Sequence, residues 1–281
     1  MDKDTILCLS LAANPSNFGT RFHNFLYQAL GLNYLYKAFA PADLSQALQG
    51  VRGLPVRGCA ISMPYKEDAI QWVDELDASV QAIQSVNTIV NTDGILKAYN
   101  TDYIAIQKII ERHNISSKSR FAVRGNGGMA KAVLFALKQK GFENGVVVAK
   151  NRVKGIALAK TLGYEWKEAI SAASFDLLIN ATPIGMAGSD VAHELAFDED
   201  SIRQAQIVFD VVALPEETPL IQKARELHKA TISGAEVFSL QALEQFYLYT
   251  GVYPDQHLFQ KAAEFSRQET AKIQIECLYK S

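Results

Sequence analysis

The chain has 281 residues, 48 % hydrophobic and 21 % charged, which is enough for one large globular domain or two modest ones. Its net charge of −2 and pI near 6.2, with Lys and Arg spread along the chain, offer no global surface for nucleic acid or an anionic membrane, so any anion site has to be local. Cys8, Cys59 and Cys277 lack metal-ligand or CxxC spacing and read as reduced thiols; with no basic leader and no membrane-length apolar run, the expectation is a soluble cytoplasmic protein.

In chain order, "TILCLSLA", "YLYKAFA" and "VRGCAISM" read as strands, with amphipathic "FHNFLYQALGL" and "ADLSQALQGV" between them, a βαβαβ pattern. Residues 14–24, "NPSNFGTRFHN", read as a polar strand-to-helix loop with Arg21 its one formal charge. "NTIVNTDGILKAYN" predicts a hairpin, because Asp93-Gly94 supplies the positive φ of a tight turn. "TDYIAIQKIIERH" predicts a long helix with Thr101 as N-cap.

From about residue 119 a second alternation begins: "SRFAVRG", "GVVVAKN", "FDLLINA", "QIVFDVV" and "ATISG" are strand-like, while "MAKAVLFALKQKG" and "TPLIQKARELH" are helical. Thr218 suits an N-cap and Pro219 the first turn of the latter helix. Continuous apolar strands predict a parallel sheet covered on both faces. The tail from Gly234 reads as helical throughout. The fold expectation is therefore two-domain α/β: residues 1–103, completed by helices in 236–281, and a dinucleotide-binding domain over 104–235.

"FAVRGNGGMAKA" sets Gly125-x-Gly127-x-x-Ala130 between a strand and a helix. The first glycine permits a sharp turn, the second lets a pyrophosphate approach the backbone, and the small Ala130 lets helix and strand pack closely. Gly125, Asn126, Gly127, Gly128 and Met129 are the candidate phosphate-loop residues. About twenty-five residues on, where NAD sites carry an acid for the ribose 2′-hydroxyl, the chain has Lys150, Asn151, Arg152 and Lys154. Cations attract a 2′-phosphate, so NADP is expected, with NAD as the alternative.

Lys66 in "ISMPYKEDAI" follows a strand and Pro64, which directs the chain toward the next helix. Asp102 in "AYNTDYIAI" alone reads as an acidic first-turn residue. Taken together, "SMPYKE", "SVNTIV", "YNTDY", "GNGGMAKA", "NATPIGM", "FDVVALPEETPL" and "SGAEVFSLQAL" resemble, in order and spacing, the shikimate dehydrogenases, NADP-dependent reductases of 3-dehydroshikimate in the shikimate pathway of aromatic amino acid biosynthesis.

The resemblance spans nearly the whole chain. It implies an N-terminal substrate domain, completed by C-terminal helices, beside a Rossmann NADP domain, with the active site in the cleft between them. Lys66 and Asp102 match the family's catalytic pair. Asn87 and Gln241 match substrate-binding residues, and Ser62 replaces a threonine with its hydroxyl kept. Thr182, Ile184 and Gly185 are implied to line the nicotinamide side, and Gly234 to close on the cofactor. The family's "NRT" segment is displaced, which leaves Lys150 and Arg152 as alternative holders of the 2′-phosphate.

The substrate-carboxylate clamp of the family, Ser-x-Ser-Pro before His-Asn, departs here. Counting back from His23-Asn24, the serines become Asn17 and Gly19 and the proline Thr20; Ala60, Ala213 and Tyr103 also differ around the same pocket. Losing two hydroxyl donors to a carboxylate, each worth on the order of 1.5–3 kcal/mol, predicts weak activity on shikimate itself and a related hydroxylated cyclic acid as substrate. An NADP-binding sensor with little catalysis is the alternative, against which the retention of Lys66 and Asp102 argues. His23, His113, His193, His228 and His257 lack metal-ligand spacing and no GxSxG occurs, so metal hydrolysis and acyl transfer have no support. The sequence is compatible with a monomer or a homodimer.

Overall fold

The structure is a computed structural model that describes residues 1–171 and 174–278, with Ala82 and 268–278 described in backbone alone, so the Cys277 side chain lies outside the described part. The chain divides into two compact units, Met1–Thr101 with Gln241–Ser281, and Asp102–Leu240.

The first unit runs β1 (Ile6–Leu11), α1 (Asn17–Ala29), β2 (Tyr34–Phe39), α2 (Leu44–Gly53), β3 (Gly58–Ile61), a 3-10 turn (Asp68–Trp72), β4 (Glu75–Leu76), α3 (Ala78–Ile83), β5 (Thr88–Thr92) and β6 (Ile95–Tyr99). The sheet order is β2-β1-β3-β5-β6-β4. Strands β2, β1 and β3 are parallel, as helix crossovers require, whereas β5 pairs antiparallel with β3 and β6. Asp93 (φ 53°) and Gly94 (φ 85°) make the tight β5–β6 turn, and Asn91 Oδ1 accepts from the Gly94 N–H at 2.9 Å.

The second unit follows with α4 (Thr101–Arg112), β7 (Phe121–Arg124), α5 (Gly128–Gln139), β8 (Gly145–Val148), α6 (Arg152–Leu162), β9 (Glu165–Lys167), β10 (Leu177–Asn180), α7 (Glu199–Gln204), β11 (Ile207–Asp210), α8 (Pro219–Glu226) and β12 (Ala230–Ile232). Helices α9 (Gly234–Thr250) and α10 (Gln256–Leu278) close the described chain. Strand order is β12-β11-β10-β7-β8-β9 and every pairing is parallel. Renumbered within the unit this is 3-2-1-4-5-6, the doubly wound Rossmann order, whose topological switch lies between β7 and β10. Helix α8 begins as its sequence predicts, with the Thr218 hydroxyl accepting from the Ile221 N–H and Pro219 in the first turn.

Strand alternation gives the first unit two apolar layers. Leu9, Leu11, Cys59 and Ile61 pack with Leu48 and Val51 of α2 on one face. On the other face Gly58 leaves room for Tyr249, whose ring carbon would lie 2.3 Å from a Cβ there. In that aromatic layer the His23 ring is fully buried and stacks on Tyr36 at 4.3 Å, with Tyr27 and Tyr249 beside it. Neither His23 nitrogen has a hydrogen-bond partner, and burial depresses its pKa to about 3, so the ring is neutral. Cys8 and Cys59 are free and buried, as expected of reduced thiols.

Several local expectations change. The stretch at 14–24 is only partly a loop, because α1 begins at Asn17 with Ser16 as an N-cap that makes no side-chain bond. Thr101 is the first helical residue of α4 rather than its cap; its N–H donates to Asn87 Oδ1 at 2.7 Å, a partner fourteen positions earlier. Lys66 leads into the 3-10 turn, not an α-helix, and the C-terminal tail breaks between α9 and α10 at 251–255. The short β4, α3, β9 and α7 carry too little periodicity to be read in advance. No described helix is long and apolar enough to cross a membrane.

Candidate active site

In the second unit the carboxyl ends of β7, β8 and β10 carry the candidate cofactor residues. Gly125 leaves β7 at φ +131°, where a Cβ would stand 2.7 Å from the Ala181 carbonyl oxygen and 3.2 Å from the Ala130 Cβ. The turn is therefore closed to any side chain, and the small Ala130 is part of the reason it fits. Gly127 caps α5 without a side chain and faces open space, since nothing lies within 4 Å of its missing Cβ. Gly128 and Met129 open the helix, whose first turn contains no acid. Unpaired first-turn N–H groups beside an unfilled glycine fit the phosphates of a dinucleotide.

At the end of β8, Asn151 caps α6 by accepting from the Lys154 N–H at 3.0 Å, and Asn126 Nδ2 reaches the Asn151 carbonyl at 3.5 Å. Lys150, Arg152 and Lys154 are exposed there and no carboxylate accompanies them between 149 and 154. The Arg152 guanidinium lies 5.6 Å from the centre of the Trp166 ring. Trp166, on the three-residue β9, is a member of this corner that sequence reading missed; its indole N–H donates to the Ala149 carbonyl at 3.2 Å.

Beyond β10, Asn180 Oδ1 accepts from both the N–H and the hydroxyl of Thr182, at 3.1 and 2.6 Å, and its amide donates to the Ile184 carbonyl at 3.0 Å. These bonds wrap Thr182–Ile184 into a fixed turn that Gly185 leaves at φ +85°. At Gly234 a Cβ would sit 2.3 Å from the Val212 carbonyl carbon, so the backbone after β11 packs against it too closely for any side chain.

In the first unit the candidate substrate residues meet around Asn87, which is 2 % exposed. The Asn87 carbonyl accepts from the Ile61 N–H at 2.8 Å, directly before Ser62, and from Gln245 Nε2 at 3.2 Å. Its side-chain amide donates to Thr101 Oγ1 at 2.9 Å, and that hydroxyl lies 3.4 Å from Gln241 Oε1. The Val86 N–H donates to the Lys66 carbonyl at 2.7 Å, tying the lysine turn to the same cluster. Ser62, Lys66, Asn87, Thr101 and Gln241 are thus one hydrogen-bonded neighbourhood. Asp102, the first residue of the second unit, is 6 % exposed at the start of α4.

The α1 end belongs to the same rim, because the Ser62 N–H donates to the Leu11 carbonyl and the Ala13 N–H to the Met63 carbonyl, at 2.9 and 3.1 Å. Asn17, Gly19 and Thr20 occupy the first turn of α1, again without an acid. A Cβ on Gly19 would stand 3.3 Å from the Tyr36 hydroxyl oxygen, so the lost serine position borders a phenol. The Arg21 guanidinium lies 4.0 Å from the Phe265 ring centre of α10 and donates to the Phe265 carbonyl at 2.9 Å. Near Asp102, the Tyr103 hydroxyl accepts from Gln107 Nε2 at 3.0 Å.

Residues 17–89 match the family model described as the shikimate dehydrogenase substrate binding domain. A shikimate dehydrogenase-like protein of Haemophilus influenzae is 51 % identical over 95 % of this chain and 98 % of its own. The shikimate dehydrogenase (NADP(+)) of Pyrococcus abyssi is 33 % identical over 86 % of this chain and 90 % of its own. Among solved structures, shikimate 5-dehydrogenase from Thermus thermophilus, in complex with NADP(H) and shikimate, superposes with a TM-score of 0.80 at 28 % identity, covering 93 % of this chain and 99 % of that one.

Proposed function

The chain belongs to the shikimate dehydrogenase family, and from that premise we propose that it is an NADP-dependent oxidoreductase interconverting a ketone and a secondary alcohol on a shikimate-like hydroxylated cyclic acid. The observation that carries the reading is the acid-free corner after β8. Lys150 and Arg152 stand there beside a phosphate turn sealed by Gly125, a donor set suited to NADP and unsuited to the acid-dependent recognition of NAD. Gly125, Asn126, Gly127, Gly128 and Met129 hold the pyrophosphate. Thr182, Ile184 and Gly185 meet the nicotinamide side, and Gly234 closes the wall beyond β11.

NADPH, when bound, supplies hydride to the substrate carbonyl carbon. The chain's own part is proton transfer and orientation. Lys66 gives the carbonyl oxygen its proton in reduction and takes it back in oxidation, with Asp102 orienting the ammonium and contacting a substrate hydroxyl. Ser62, Asn87 and Gln241 orient the ring. Asn87 is well suited to this, because its amide is already locked to Thr101 and a locked group loses little freedom on binding. Asn17, Gly19 and Thr20 hold the acid end where the family has its two serines. That exchange supports weak turnover of shikimate and preference for a related acid, within the chemistry of the shikimate pathway.

The test is NADP+ reduction by the purified protein with shikimate, quinate and a panel of hydroxylated cyclic acids. The proposal expects NADP+ binding, slow turnover of shikimate and faster turnover of another member. NADP+ binding without reduction on every member would replace it with a sensor role.

A further inference from the structure

At the last position of β11, in register with Asn180 across the β10–β11 pair, stands Asp210, a carboxylate with no solvent exposure. Its Oδ1 accepts from the Val212 N–H and from Asn180 Nδ2, both at 3.0 Å, and its Oδ2 accepts from the Thr218 hydroxyl at 2.7 Å. Thr218 is also the N-cap of α8, and its Cβ lies 3.3 Å from where a Cβ on Gly185 would be. Asp210 therefore joins two separately hydrogen-bonded pieces, the Thr182–Ile184 turn organised by Asn180 and the start of α8 that supports Gly185. Every partner is a neutral donor, and among the described residues no cation faces it from β10, β11 or α8. Burial without a counter-charge raises its pKa to about 6. With no charge to pair, its part in the structure is the geometry of its three hydrogen bonds.

We propose that Asp210 is the positioning residue of the Thr182–Gly185 turn, fixing through Asn180 and Thr218 the surface that the cofactor meets. This rests on the assignment of that turn to the nicotinamide side. The geometry requires two acceptor positions at Oδ1 and tolerates a donor at Oδ2, because the Thr218 oxygen can accept as well as donate. An asparagine, with its carbonyl at the Oδ1 position, reproduces the arrangement. An alanine leaves the Val212 N–H without its acceptor and the Asn180 amide with the Ile184 carbonyl alone.

The test compares Asp210→Ala, Asp210→Asn and Thr218→Val by amide hydrogen exchange in the cofactor-free protein and by NADP+ titration calorimetry. Asp210→Ala is expected to speed exchange at Thr182 and Ile184 about tenfold or more and to weaken NADP+ by a similar factor, raising KM for NADP+ more than it lowers kcat. Asp210→Asn should keep both within about twofold of the parent protein, and Thr218→Val should lower Tm while leaving Thr182 exchange within the same margin. Unchanged exchange and binding in Asp210→Ala, or equal damage from Ala and Asn, would overturn the proposal. If Asp210→Ala does not fold, Asp210→Ser, whose single short hydroxyl cannot serve Asn180, Val212 and Thr218 together, must give the same exchange result. Faster exchange in Asp210→Ala, with a parent protein that binds no NADP+, would retain the positioning role and remove the cofactor assignment instead.

Discussion

His23 offers the sharpest link between burial and solution behaviour. Its ring has no exposed surface, neither nitrogen has a hydrogen-bond partner, and its pKa is pushed from 6.5 to about 3 by desolvation, with Gln245 facing it but outside hydrogen-bond geometry. Between those two values the unfolded chain holds a proton that the folded chain does not, so stability rises with pH across that window and is lost as pH falls through it. At 1.36 kcal/mol per pKa unit the loss is roughly 1.4 kcal/mol per pH unit and about 5 kcal/mol in all, comparable to the whole stability of many domains. His23→Phe removes that dependence and two unsatisfied nitrogens, while keeping the stack on Tyr36. Its effect at neutral pH is a small balance between relieved desolvation and a slightly larger ring.

Trp72 and Trp166 are the two tryptophans and fall one in each unit, so urea unfolding followed by Trp72 fluorescence in a Trp166→Phe background reports the unit that holds His23. The expected result is a free-energy gap between His23→Phe and its parent that widens by about 3 kcal/mol from pH 6 to about pH 4. A gap that does not change with pH would refute the buried, neutral histidine.

Asp210 carries the opposite sign. Its pKa is raised from 3.8 to about 6, so its contribution is fully favourable below 3.8 and is lost as pH rises to 6; Asp210→Asn should gain up to about 3 kcal/mol of stability at neutral pH relative to acid, read by Trp166 fluorescence. Gly125→Ala forces a side chain into a φ of +131° and against the Ala181 carbonyl, and should weaken NADP+ by about tenfold or more in calorimetry. Lys150→Ala and Arg152→Ala should each lower NADP+ affinity about 10- to 100-fold with NAD+ unaffected, the group that holds the 2′-phosphate showing the larger loss and the steeper salt dependence. Gly58→Ala should cost about 1–3 kcal/mol by overpacking Tyr249, measured as a lower urea midpoint with NADP+ affinity unchanged.

What could be read from the sequence was local. Asp93-Gly94 and Thr218-Pro219 act through their own φ angles and hydroxyls, so hairpin and helix start were visible without tertiary context. Gly125, Gly127 and Ala130 mark their turn because each answers a backbone demand within six residues. The start of α1 at Asn17 was hidden because its cap, Ser16, makes no side-chain bond and leaves no acid or capping box as a signal. Thr101 was misread for the complementary reason: its helix is capped by Asn87, brought there by the β5–β6 hairpin. Trp166 beside Arg152, and Asp210 beside Asn180, depend on parallel register between strands far apart in the chain, which periodicity does not encode.

The central claim is that Lys66 moves the proton in a reaction whose hydride comes from NADPH. It is tested most directly by comparing Lys66→Ala with the parent protein on the best member of the cyclic-acid panel, with NADP+ affinity measured in parallel. The account predicts at least about a hundredfold loss of kcat with NADP+ affinity within about twofold of the parent. A variant that turns over at the parent rate would contradict it.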